Sequence, residues 1–263
     1  MALTYEEALR HFQAFGETDV DYLRQHFHRF VVTRQLYDQT QFGQSRRRVL
    51  DVGAHWLHQS HLWARDGHAV TAMDLSLTFD RESVRRAAEA DGIRLLHCDD
   101  LENARALDAF PDDAFDVLLF TEIIAHITFN PRRMWRQLYR VLAPGACIII
   151  TTPNYYALRG RAWRPWRFLR GMGGGIGIDD VLDMPTYAHH WREYSRRELV
   201  RYFERLSADF RLRRVCHPDW FDGIQRHRVV QQLERWLPRL RPNLYLEFEL
   251  TGKVDPVASL PGD

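Results

Sequence analysis

From Arg48 onward, short β-rich runs alternate with amphipathic helical stretches, and this alternation restricts the chain's possible folds more than any other feature. The strand candidates are Val49–Val52, Ala69–Met73, Ile93–His97, Phe115–Phe120 and Ala146–Thr151. Between them, apolar residues recur at helical spacing over about 56–66, 80–90, 101–108 and 131–142. Strands alternating with helices predict an α/β fold: a parallel sheet with helices on both faces. The runs DVLLF and CIIIT are nearly uninterrupted in apolar residues, as strands buried on both faces require. Asp66-Gly67, Asp91-Gly92 and Pro144-Gly145 supply the turns that precede strands.

The flanking segments differ. Residues 1–45 carry two helical runs, one with Leu3, Ala8, Leu9, Phe12 and Phe15, the other from Tyr22 to Val31. Neither contains a chemical motif, and an N-terminal helical segment packed on or capping a core is expected. The domain proper then spans 46–263. Within it, 153–194 breaks the alternation with GMGGGIGI, several prolines and the run YYALRGRAWRPWRFLRG, and reads as an inserted lid. Ser195 is placed to cap a helix, ELVRYFERL, and strands follow at about 210–216 and at LYLEFEL.

Charge and cysteine usage exclude several function classes. Lys and Arg total 36 against 35 Asp and Glu, so no pervasive cationic field marks a dedicated nucleic-acid binder. Lys253 is the only lysine and stands near the C-terminal end, which argues against Schiff-base or P-loop chemistry. The 3 cysteines, Cys98, Cys147 and Cys216, are widely spaced, so neither a disulfide framework nor a cysteine zinc site is expected. The start MALTYEEALRHF carries acids where a secretory signal carries a basic start and an apolar core, and a cytoplasmic location is expected.

The chemistry begins at strand ends. RVLDVGA is a strand ending in Asp51, followed by a turn with Gly53; AVTAMD is a second strand ending in Asp74. In an open parallel sheet, ligands lie outside the carboxyl ends of the strands. A glycine in the first turn lets a ligand approach the backbone, and an acid closing the second strand can accept from a ribose diol. This pairing points to a cofactor that contains adenosine. A nicotinamide dehydrogenase would need Gly-x-Gly-x-x-Gly, which Gly53-Ala54-His55-Trp56-Leu57-His58 lacks.

Taken in order, further segments resemble the class I S-adenosylmethionine-dependent methyltransferases. VLDVGA resembles the family's first motif, VTAMDLS its second-strand acid, and LHCDDL the acidic end of its third strand. FDVLLFTEIIAHI resembles the fourth strand with its Glu-x-x-x-His element, and RVLAPGACIIITTPN the helix, Pro-Gly turn and fifth strand. The likeness covers about 48–154 and extends to HHWREYSRRELVRYFE, similar to an element found in small-molecule and glycan methyltransferases. The resemblance implies a Rossmann-like seven-stranded sheet and S-adenosyl-L-methionine as cofactor. It implies that Asp51, Gly53 and Ala54 hold the methionine part, with Asp51 near the ammonium. Asp74 and Leu75 would serve the ribose, Asp99 or Asp100 the adenine amine, and Thr121 and Glu122 the neighbourhood of the methyl donor. Carboxylates suit these partners, which are an ammonium, a diol and an exocyclic amine.

The family's first motif reads Asp-x-Gly-x-Gly-x-Gly, and this chain places His55 and Leu57 where the second and third glycines stand. The expectation is a reshaped turn that still binds cofactor; a non-catalytic member of the same fold is the alternative. Methyl transfer to oxygen needs alignment of the acceptor and removal of a proton. The candidate bases are His190 and His126, with His189, Arg192, Tyr194 and Tyr155 as acceptor contacts. The expected acceptor is a small molecule or glycan rather than a nucleic acid. Arg159, Arg161, Arg164, Arg167 and Arg170, interleaved with aromatic residues, favour an anionic one and also suit contact with a membrane surface. His58 and His61 stand at i, i+3, a spacing that a metal could bridge, but no third ligand is evident and no metal site is expected.

Overall fold

The structure, a computed structural model, describes residues 3–18, 20–40, 45–158, 190–218 and 228–259. Helices α1 (Tyr5–Ala14) and α2 (Val20–Asp38) come first. They are followed by β1 (Arg48–Val52), α3 (His58–Arg65), β2 (Ala69–Asp74), α4 (Ser76–Phe79), α5 (Glu82–Asp91) and β3 (Arg94–His97). Next are β4 (Phe115–Thr121), α6 (Arg132–Val141), β5 (Leu142–Pro153), α7 (Arg196–Leu206), β6 (Phe210–Cys216), α8 (Arg228–Trp236) and β7 (Asn243–Leu250). The seven strands form one sheet in the order β3-β2-β1-β4-β5-β7-β6. The first five are parallel, and β7 inserts antiparallel to both β5 and β6.

Alternate residues of the central strands enter two separate cores. Leu50, Val52, Leu118, Phe120, Ile148 and Ile150 pack towards α6 and α7, around Trp135 and Phe203. Val49, Val117, Leu119, Cys147 and Ile149 face the opposite layer, where α1, α2, α3 and α5 supply Phe12, Phe30, Trp63 and Ala87. Each fully buried Leu, Ile or Phe contributes roughly 1.5–3 kcal/mol of transfer free energy. The N-terminal helices are integral to this second core. The Tyr37 ring lies 4.6 Å from that of Trp63, and Arg34 sits over Trp63 at 4.8 Å while pairing with Asp66 at 2.8 Å.

The structure differs from the sequence pattern in places. The expected helix over 101–108 is only a short 3-10 turn, Arg105–Ala109. Asp100 accepts from the Asn103 backbone N–H (3.1 Å) and from its side chain (2.7 Å), and Ala104 takes a left-handed φ of 49°. The acid thereby makes a local turn that competes with helix formation. Strand β5 starts at Leu142, ahead of the Pro-Gly turn, and the extra residues are absorbed as an irregularity: Phe115 pairs Leu142, but Val117 pairs Cys147. Most of the expected lid, 159–189, lies outside the described residues. No helix among the described residues is long and apolar enough to cross a membrane.

After β7 the chain is fastened by Asp209. This buried carboxylate accepts from the Tyr139 hydroxyl (2.6 Å) and from the backbone of Val254 (2.9 Å) and Asp255 (2.8 Å). Tyr139→Phe removes one charge-assisted bond and should lower unfolding free energy by about 1–3 kcal/mol in urea titrations. A loss below about 0.3 kcal/mol would mean that the backbone donors alone hold this closure.

Candidate active site

The carboxyl ends of β1 to β5 open on one cavity of about 1760 Å³. Asp51, Asp74 and Asp99, at or just after the ends of three adjacent strands, all line it, as do Gly53, Ala54, Leu75, Asp100, Thr121 and Glu122. The parallel register produces this convergence: Asp51 pairs Ala72 and Asp74 pairs His97, so the strand ends stand side by side.

Each acid is held differently. Asp51 is 1% exposed and accepts from the Ser60 hydroxyl at 2.6 Å. Burial pushes its carboxyl up to about 7, against the opposing effect of Ser60. A cation placed beside it would draw off the proton and strengthen the pairing. Asp74 Oδ2 accepts the His55 backbone N–H at 2.7 Å, while Oδ1 accepts from Leu75 N (2.7 Å) and Thr78 Oγ1 (3.1 Å). Burial raises its pKa, and these three donors counter the rise. Asp99 is exposed and takes both the Ser76 backbone N–H (2.8 Å) and hydroxyl (2.6 Å), which hold its carboxyl below the ordinary value.

The turn after β1 is strained, not relaxed. Gly53 has φ 73°, and a Cβ there would stand 2.0 Å from Ile123 Cδ1. His55 (φ 50°) and Leu57 (φ 68°) are also left-handed. The side chains at the two altered glycine positions are therefore carried on glycine-like backbone. Packing compensates. Leu57 is fully buried, and the His55 ring lies 4.3 Å from Trp56 and 4.4 Å from Tyr22. Burial pushes the His55 imidazole down to about 3, so it is neutral at pH 7.

Tyr22 belongs to α2, and sequence reasoning missed this wall. Tyr22, Gln25, His26 and Arg29 of that helix all line the cavity. Only their helical spacing was readable, and nothing local links them to a site more than 20 residues away. Ser60, Asn154 and Asn243 were missed too. Asn154 is 2% exposed and donates to the carbonyls of Arg239 (2.8 Å) and Arg241 (2.7 Å), pinning the exit of β5.

The other end of the cavity lies beyond β4. Glu122 has φ 61°, donates its N–H to the Thr151 carbonyl (2.8 Å), and accepts the Thr151 hydroxyl at 2.8 Å. A 3-10 turn, Ile124–His126, follows. The chain returning from the lid runs past it: Arg192 N donates to Ala125 O (3.3 Å), and Tyr155 N to Tyr194 O (3.1 Å). This brings the His126 and His190 rings to 4.6 Å, edge to face, and both line the cavity. Tyr155, Arg192 and Tyr194 stand next to the cavity without lining it; Arg192 turns to Glu198 at 2.7 Å. His189 and the five arginines of 159–170 lie outside the described residues.

Two polar features fit the cofactor implied by the strand-end acids. Both amide atoms of Gln59 and Nδ1 of His55 are buried in the cavity wall without hydrogen-bond partners among the described residues. Buried orphans of this kind need a polar occupant.

Left-handed backbone at 55 has a direct test. His55→Gly and His55→Ala remove the same ring contacts, but only glycine relieves the φ strain. The glycine variant should be the more stable by roughly 1 kcal/mol in chemical denaturation. Equal stability, or a more stable alanine variant, would contradict the left-handed assignment.

The Methyltransferase domain family matches residues 50–150. No curated protein sequence matches the chain significantly. Among solved structures, the chain resembles the Burkholderia thailandensis 1,6-didemethyltoxoflavin-N1-methyltransferase, solved with S-adenosylhomocysteine. The two share 14% identity with a TM-score of 0.55, over 95% of this chain and 92% of that one. A Mesorhizobium loti S-adenosylmethionine-dependent methyltransferase shows 17% identity and a TM-score of 0.53, over 78% of this chain and 91% of that one. An Archaeoglobus fulgidus S-adenosylmethionine-dependent methyltransferase shows 17% identity and a TM-score of 0.50, over 88% and 100%. At these identities the structures speak for the fold, and the family match speaks for the domain within it. The chain carries a methyltransferase domain and has the fold of the class I S-adenosylmethionine-dependent methyltransferases.

Proposed function

We propose that the chain transfers the methyl group of S-adenosylmethionine to an oxygen of a small molecule or sugar, with a histidine as the base. The observation that carries this reading is the meeting of His126 and His190 at 4.6 Å in the cavity wall beyond β4. The cofactor supplies an activated methyl on a sulfonium, so the protein's work is alignment and proton removal. An imidazole suits the second task at neutral pH. Asp51 would face the ammonium of the methionine part and Asp74 the ribose; Asp99, with Asp100 beside it, would face the adenine amine. The basic run from Arg159 to Arg170 supports an anionic group on the acceptor.

Asp74 tests the cofactor half of this reading. Oδ1 already takes two donors, whereas Oδ2 takes one and keeps a lone pair for a ribose hydroxyl. Loss of one charge-assisted bond, worth about 1.5–3 kcal/mol, should weaken S-adenosylhomocysteine binding to Asp74→Ala by roughly tenfold or more. Calorimetric titration measures this, with a thermal melt to show that the variant is folded. Unchanged affinity in the folded variant would remove Asp74 from the site.

His190 tests the other half. A screen of sugar nucleotides, glycans and small phenols with labelled S-adenosylmethionine comes first. With the acceptor in hand, His190→Ala should lower kcat and leave S-adenosylhomocysteine affinity nearly unchanged, because a base acts on the acceptor. A second reading rests on Glu122 and Glu193, two acids lining the cavity, which favour an amine acceptor that binds as its cation and gives up a proton before its nitrogen takes the methyl group. Amines therefore belong in the screen, and methylated nitrogen without methylated oxygen would replace the first reading by the second. Transfer to nucleic acid alone would overturn both.

A further inference from the structure

The histidine pair at 58 and 61 is split by the fold. Both oxygens of Glu17 lie within 3.0 Å of His58 Nε2, which points towards the loop between α1 and α2. His61, one turn further along α3, takes different polar partners, two residues remote in sequence, although both rings pack on Phe12. Its Nδ1 lies 2.8 Å from Asp91 Oδ2, and His11 Nε2 lies 3.1 Å from the same oxygen. The two imidazoles stack at 3.9 Å with 29° between their planes. Three helices therefore each contribute one ligand-type atom: α1 gives His11, α3 gives His61 and α5 gives Asp91.

We propose that His11 Nε2, His61 Nδ1 and Asp91 Oδ2 form a binding site for one divalent first-row ion of the zinc type. The donor set is right for this class: two imidazoles and one carboxylate suit Zn²⁺, Co²⁺ and Ni²⁺, and do not suit Mg²⁺ or Ca²⁺, which take oxygen ligands. The spacing is close to what an ion needs. Bonds of about 2.1 Å at angles of 90–109° put neighbouring ligand atoms roughly 3.0–3.4 Å apart. All three atoms already lie within 4.8 Å of one another, and the two contacts to Asp91 are 2.8 and 3.1 Å. On binding, the two imidazole nitrogens, now within 4.8 Å, would close to roughly 3.4 Å about the ion.

The surroundings favour a cation. His11 lies in the last turn of α1, and Asp91 is the final residue of α5, so two helix carboxyl ends point their partial negative charge at this place. Side-chain exposure is 6% for His61 and 10% for Asp91 but 23% for His11. Two ligands are preset by packing, and the third side is open to solvent for a metal-bound water. The role would be structural. An ion here ties α1 to α3 and α5, and thereby fixes the helical pair whose second member walls the cavity with Tyr22, His26 and Arg29. The site stands apart from the cavity and does not depend on the proposed methyl transfer.

The test uses the full chain, freed of metal with a chelator and titrated with Co²⁺ and with Zn²⁺ against a chromogenic chelator. One equivalent should bind per chain, with visible Co²⁺ d–d absorption, and Zn²⁺ should raise the melting temperature. His61→Ala and Asp91→Asn should each weaken Zn²⁺ binding by more than the roughly 10–100-fold that loss of an outer partner costs. His58→Ala, one turn away on the same helix, should leave Zn²⁺ binding unchanged. Absence of saturable binding to the unaltered chain would overturn the proposal and leave a metal-free hydrogen-bonded latch. Stoichiometric binding that survives both His61→Ala and Asp91→Asn would overturn it too, by placing the ion elsewhere. Because the unaltered chain is measured directly, misfolding of a variant does not remove the test.

Discussion

Burial of the central strands on both faces is the constraint from which the rest follows. Val49, Leu50 and Val52 of β1, and Val117 to Phe120 of β4, are 0–1% exposed, with alternate residues feeding two different cores. A strand buried on both sides leaves its polar chemistry only one outlet, its ends. Asp51, Asp74 and Glu122 are therefore at strand ends, and parallel pairing sets them on the same edge. Buried side-chain atoms without partners among the described residues, on His55 and Gln59, also collect there, which makes that edge a binding surface before any particular ligand is considered.

The same edge concentrates strain. Gly53, His55, Leu57 and Glu122 all have φ between 50° and 73°; Gly53, His55 and Glu122 line the cavity, and Leu57 is fully buried. For His55, Leu57 and Glu122 this conformation costs of order 1–3 kcal/mol each, and persists because the surroundings over-determine it. The compensation is visible. Leu57 is fully buried, His55 is wedged between Tyr22 and Trp56, and Glu122 is held at both its backbone and its carboxylate by Thr151. Losing glycine at 55 and 57 thus goes with acquiring an aromatic cover from α2.

That cover alters the electrostatics of the site. Tyr22, His26 and Phe30 help exclude water from the first turn, and burial pushes His26 down to about 4 and His55 to about 3. Both imidazoles are neutral at pH 7 and do not compete with a cationic ligand for Asp51 and Asp74. Asp51, raised to about 7 by the same exclusion, is set to change its proton occupancy when a positive group arrives.

The sequence by itself determined the parallel strands and marked the strand-end acids that line the cavity. Short apolar β-rich runs, Gly-containing turns and acids closing strands are local signals, and each is read over fewer than ten residues. The five parallel strands, the acids at 51, 74 and 99 and the helix beginning after Ser195 were all legible for that reason. Tertiary structure decided what depends on contacts between distant segments. Helix α2 reads as an ordinary packing helix, and only its placement over the turn at 53–57 makes Tyr22 and His26 part of the site. The spacing of His58 and His61 would allow one shared ligand, but neighbours 41 and 30 residues away, Glu17 and Asp91, give each ring its own carboxylate. His126 and His190 become a pair only because the returning chain hydrogen-bonds to Ala125. Short-range pattern carries backbone conformation and burial, but which side chains meet is settled by how the packed layers bring separate parts of the chain together.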